Sequence, residues 1–154
     1  MNELIIKSSN HGVVIALQKD GKLVELHNEK SDSSFAVGDI YLGKVNKIVS
    51  GLNAVFVDVG YQKDGFLHYH DLGPQIRSFN KYVRQTISGR QNKWSLIDFK
   101  SEKDISKNGI VDSVLAKKQH ILVQVKKEPI STKGPRISSE LSIAGRFLVL
   151  VPFS

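Results

Sequence analysis

Phe56, Phe66 and His68 stand in two short apolar runs, and Lys44, Lys47, Lys133 and Arg136 are the neighbouring cations. In a strand, successive side chains face opposite ways. Over 54–59 that rule turns Val55, Val57 and Val59 to one face, and Ala54, Phe56 and Asp58 to the other. Over 66–68 it makes Leu67 the core residue and leaves Phe66 and His68 outside. Rings exposed among Lys and Arg suit single-stranded nucleic acid. A base stacks on a ring whatever its identity, and the cations neutralise the backbone. The competing reading is structural: the rings are ordinary core, or a long neighbouring segment covers them, since bulges invert strand alternation.

Other chemistry is sparse. No phosphate-binding Gly loop, Gly-x-Ser-x-Gly or His-Glu-x-x-His motif occurs. His68, His70 and Asp71 are close in sequence, but no further metal ligand is placed with them. Asp58 reads as a solvent-facing strand carboxylate. The absence of Cys excludes a disulfide framework, Cys-ligated zinc or iron–sulfur, and thiol catalysis.

The elements that must position these residues are mostly strands. Runs at 4–7, 13–17 and 23–27 form a β-meander, with Asp20-Gly21 as a hairpin turn whose two central residues need positive φ. Residues 28–34 carry no apolar side chain and read as a boundary loop. A long strand follows at 40–49, then strands at 54–59 and 66–68 joined by Gly-bearing turns, which suggests a small barrel or sandwich. Residues 73–108 are polar and aperiodic. They read as an insertion, part mobile and part short helix, that Trp94 pins to the body. A short helix is expected at 110–115 and strands at 121–125, 136–142 and 147–151.

The chain of 154 residues is long enough for a real core, hiding roughly 70% of its unfolded surface. Its net charge of +7 and pI near 9.6 favour a polyanionic partner, nucleic acid before an anionic membrane. No apolar run approaches the length of a membrane span, and the first residues do not read as a signal peptide, so a cytoplasmic location is expected.

Asp39-Ile40-Tyr41-Leu42-Gly43-Lys44-Val45, Ala54-Val55-Phe56-Val57-Asp58-Val59-Gly60 and Gly65-Phe66-Leu67-His68 resemble the S1 domain of the bacterial RNase E/G endoribonucleases. So does 122–136, with its Lys133-Gly134 turn, and 142–150 continues the likeness. The resemblance is closer to RNase G-like members and covers nearly the whole chain except 73–108. It implies a mainly β fold: a five-stranded OB-fold (S1-type) barrel over 37–140 with the 73–108 insertion. Ahead of it, 1–36 would be a meander opening an RNase H-like subdomain, and 141–154 would begin the next subdomain. It further implies base stacking by Phe56 and Phe66, an RNA contact by Lys133 and a nucleic-acid-facing His68. Gly145 and Val149 would lie beside a pocket sensing a 5′-monophosphate.

The implied function is single-stranded RNA binding within an endoribonuclease of RNA processing and decay. The magnesium-binding aspartates of such enzymes match nothing in this chain, so it is expected to be inactive alone and to need no cofactor of its own. Oligomerisation would belong to the full-length enzyme. The alternative is a free-standing OB-fold module of the translation machinery, binding RNA or protein. The strand at 147–151 ends the chain abruptly, and an unpaired strand there would favour a fragment.

Overall fold

The computed structural model describes residues 2–10, 12–30, 35–90, 96, 98–130 and 132–153, in two compact units divided after Ser34. Trp94, and so the anchoring expected of it, lies outside the described residues.

The first unit is an antiparallel sheet in the order β1 (Asn2–Ser9), β2 (Gly12–Lys19), β3 (Lys22–Lys30). Asp20 and Gly21 take φ of 50° and 75°, as the tight hairpin requires. The expected 28–34 loop starts later, because β3 pairs with β2 as far as Gly12 opposite Lys30.

The second unit is a closed barrel of β4 (Ile40–Val49), β5 (Ala54–Asp58), β6 (Gly65–His68), β7 (His120–Lys127) and β8 (Arg136–Ser138). Its order is β4-β5-β6-β8-β7, with β7 returning to β4 and only β6–β8 parallel. This is the OB-fold arrangement. Val45, Val55, Val57, Leu67, Ile121, Val123, Val125 and Ile137 fill it and are fully buried. β4 must curve sharply to close the ring, and a bulge between Val45 and Lys47 allows it. Gly43 is needed on the inner face, since a Cβ there would stand 2.5 Å from the Val57 side chain.

The helical part of the 73–108 segment is longer and more firmly packed than the short helix expected there. Ile76–Ile87 forms the helix α1, which buries Ile76, Phe79 and Val83 and packs against β7. These residues recur at helical spacing, and polar neighbours hide that period in the sequence. The helix ends at Gly89, whose φ is 72°. The Gly89 and Arg90 N–H groups donate to the Thr86 and Gln85 carbonyls, satisfying the last turn. Downstream, the Glu102 N–H donates to Ser78 Oγ at 2.9 Å and the Ile105 N–H to the Pro74 carbonyl at 3.0 Å, laying the segment back along α1.

Three smaller expectations also change. Residues 110–115 make only a 3-10 turn at Val111–Ser113. β8 stops at Ser138, because the hydroxyls of Ser138 and Ser139 turn to the carbonyls of Asp71 and Leu72. The last strand is reduced to β10 (Val149–Leu150), paired with β9 (Ile143–Ala144) in an exposed hairpin.

Asn53 joins the long β6–β7 connection to the barrel. It sits in the left-handed region at φ 47°. Its side chain donates to the Gly109 carbonyl at 2.9 Å and accepts the Val111 N–H at 2.7 Å. Asn53→Ala strands that N–H and keeps the unfavourable φ, so it should cost about 3 kcal/mol. Asn53→Gly relaxes the backbone and should cost less. Thermal unfolding of both variants checks this; wild-type melting temperatures would show that the clamp carries no stability.

Replacing 73–108 with a Gly-Ser linker should unfold the barrel unit. Burial of three large side chains contributes roughly 5–9 kcal/mol, comparable to the whole stability of an ordinary domain, about 5–15 kcal/mol. Retained cooperative unfolding by circular dichroism would contradict this.

Candidate nucleic-acid interface

Strand pairing sets one row of side chains across the outside of the barrel. Lys47 on β4 is opposite Phe56 on β5, Phe56 is opposite Phe66 on β6, and Phe66 is opposite Arg136 on β8. The two rings meet edge to face with centroids 5.7 Å apart and planes inclined by 65°. Both are half-buried, whereas Val55, Val57 and Leu67 between them are fully enclosed. The alternation read from sequence therefore holds for these side chains. Ala54 departs from it: flanked by Val49 and His68 on the paired strands, its small methyl group is completely covered.

Phe56 and Phe66 form the floor of an open groove of about 550 Å³. Its walls are Lys63 and Asp64 from the β5–β6 turn, Thr132, Lys133 and Gly134 from the β7–β8 connection, and Arg136 at the start of β8. Three cations thus stand around two rings, with Asp64 the one carboxylate among the lining residues. Asp64 accepts a hydrogen bond from Asn46 Nδ2 at 2.9 Å, and Arg136 holds Asp71 at 3.1 Å.

The groove depends on a close approach of two loops. A Cβ at position 134 would lie 2.1 Å from the Asp64 carbonyl oxygen, so only Gly fits. With the loops in contact, the Phe66 N–H donates to the Pro135 carbonyl at 2.9 Å. That bond aligns β6 with β8 and brings Lys133 beside the rings.

The other expected residues lie outside the groove lining. Lys47 is exposed and adjacent to Phe56 in the pairing. Lys44 is exposed further along β4, between Asp58 and His120 on the neighbouring strands. His68 is half-buried at the end of β6, where its Nδ1 accepts the His70 N–H at 3.2 Å and the two rings lie 5.0 Å apart. That contact gives His68 a local capping role, and no metal-ligand set of three His, Cys, Asp or Glu gathers among the described residues. Gly145 and Val149 lie in the β9–β10 hairpin, with the Gly145 N–H bonded to the Leu148 carbonyl at 2.7 Å.

Lys63 and Thr132 were not among the residues expected to bind. The Lys63-Asp64-Gly65 turn was visible in sequence, but its packing against 132–134 comes only from barrel closure.

No family model matches the chain. It is similar to a ribonuclease E/G-like protein of Porphyra purpurea, 33% identical over 155 residues, which is 100% of this chain and 24% of the relative. Ribonuclease E of Synechocystis is 34% identical over 99% of this chain and 18% of its own length. Ribonuclease G of Haemophilus influenzae is 32% identical over 97% of this chain and 27% of its own. The chain therefore spans about a quarter or less of the curated relatives it matches. Carrying this barrel, and matched along nearly its whole length by proteins of both the E and the G type, the chain is similar to one portion of the proteins of the ribonuclease E/G family.

Proposed function

We propose that this chain binds single-stranded RNA across the outer face of β5 and β6, as the strand-holding part of a ribonuclease. The observation that carries this is the Phe56–Phe66 pair, half-buried at the floor of an open groove walled by Lys63, Lys133 and Arg136. Two rings 5.7 Å apart, their planes inclined by 65°, present adjoining apolar surfaces. Unpaired bases stack on such surfaces, while the cations meet the phosphates. A duplex keeps its bases inside and cannot use the rings. Lys47, Lys44 and His68 extend the same face along β4 and β6. By the family likeness, Gly145 and Val149 border a 5′-phosphate pocket.

For the whole ribonuclease, the reaction would be magnesium-dependent hydrolysis of RNA. No described residues fit that ion, for want of a carboxylate cluster, so the chain's own contribution is to grip and orient the strand.

The terms separate in a salt titration of oligoribonucleotide binding. Phe56→Ala or Phe66→Ala should cost about 1–3 kcal/mol and leave the salt dependence nearly unchanged. Lys133→Ala should flatten the slope of log affinity against log salt by about 0.7. Folded Phe variants that bind as well as wild type would rule out the groove.

The purified chain should not cleave a labelled oligoribonucleotide, with or without magnesium. Magnesium-dependent cleavage that co-purifies with the protein and is lost on a point substitution within it would contradict this.

A further inference from the structure

A second concavity, of about 770 Å³, opens between α1 and the turn that leads into β7. Arg77 and Arg84 reach it from the helix, and Lys117, Lys118 and His120 from the turn and strand. All five are exposed. Glu102 also lines it, but its carboxylate is held by Lys81 Nζ at 2.8 Å. That hydrogen bond and the Lys81 charge keep the Glu102 carboxyl below its ordinary range. The pocket is therefore strongly cationic, with Val83 and Val114 as apolar wall. Asn80 lines it as well, and its Oδ1 is buried with no hydrogen-bond partner among the described residues. An unpaired buried amide oxygen is costly. Turning the amide toward a donor on an occupant would relieve that cost.

The pocket is linked to the aromatic groove by strand pairing. Lys44 is opposite Asp58 on β5 and opposite His120 on β7. Asp58 is two residues from Phe56, and His120 lines the pocket. Two pairings cross roughly 10 Å of sheet, with the exposed Lys44 midway. OB-fold sites hold about 4–16 nucleotides, so one strand can reach both places.

We propose that this pocket is a second contact for the same RNA strand. Arg77, Arg84, Lys117 and Lys118 hold phosphodiester oxygens, and a nucleoside rests on Val83 beside the Asn80 amide. The inference rests on the aromatic groove as the first contact. Short strands would fill the groove alone, and longer ones would cross Lys44 into the pocket.

The test compares a uridine tetranucleotide and a uridine dodecanucleotide by fluorescence anisotropy over a salt series. The proteins are wild type, the double variant Arg84→Gln/Lys117→Gln, Phe56→Ala and Asn80→Leu. The double variant should bind the tetramer within twofold of wild type. It should bind the dodecamer about tenfold more weakly at low salt, with a slope lower by about 1.4, two neutralised phosphates. Wild-type dodecamer binding and slope would overturn the proposal. An equal loss for both lengths would also overturn it, because it would mark a general loss of positive field. Asn80→Leu should keep the melting temperature and weaken only the dodecamer; undiminished dodecamer binding overturns the nucleoside seat. If Phe56→Ala affects neither length while the double variant weakens the dodecamer, the aromatic groove fails and the pocket stands.

Discussion

The barrel closes because a carbonyl oxygen and a residue without a side chain can occupy almost the same place. Gly134 lies against the Asp64 carbonyl where any Cβ would collide. This contact lets the Pro135 carbonyl accept the Phe66 N–H, and Phe66–Arg136 is the single residue pairing between β6 and β8. The other neighbouring strands of the barrel share longer ladders. The weakest seam of the ring is therefore held by a steric allowance, and the aromatic groove lies along that seam. A methyl group at 134 would act on the groove walls and on barrel closure together.

Positions next to that seam balance two demands. Phe56 and Phe66 are each half-buried, enough to be fixed in place while part of each ring stays accessible. Arg136 is steadied by Asp71, and Asp64 by Asn46. Such pairs on an exposed surface add little stability. Their effect is to limit the rotamers of the walls, which reduces the ordering needed when a strand arrives. α1 serves the barrel at β7 in a similar way, burying Ile76, Phe79 and Val83 with one face and presenting Arg77 and Arg84 on the other.

Much of this was legible in the sequence. The bounds of β4, the Asp20-Gly21 turn and the inward Val55, Val57 and Leu67 follow from alternation and turn chemistry, because each depends on a few adjacent residues. The rings on the outer face were legible for the same reason. A short helix was legible within 73–108 but not its bounds, although Ile76, Phe79 and Val83 mark one face and Gly89 marks its end. Its apolar face is narrow, and the Arg and Lys around it mask the helical period. The Asn53 clamp and the Lys63 wall were not legible at all. Each acts on residues far along the chain, 56 and 58 positions away for Asn53, and only the closed barrel brings them together.

Gln124 is buried inside β7 with every polar atom engaged. Its amide nitrogen donates to the Gly38 carbonyl at 2.9 Å and to the Ser142 carbonyl at 2.7 Å, and its oxygen accepts the Ser142 N–H at 3.2 Å. One side chain thus holds the point where the backbone comes into the barrel next to the point where it leaves. A unit with adjoining ends can be spliced into a surface loop of another protein without stretching its host. It can also be lifted out and transplanted as a cassette. Gln124 would act as the clasp of that cassette: with it intact, the graft needs only a short spacer on each side.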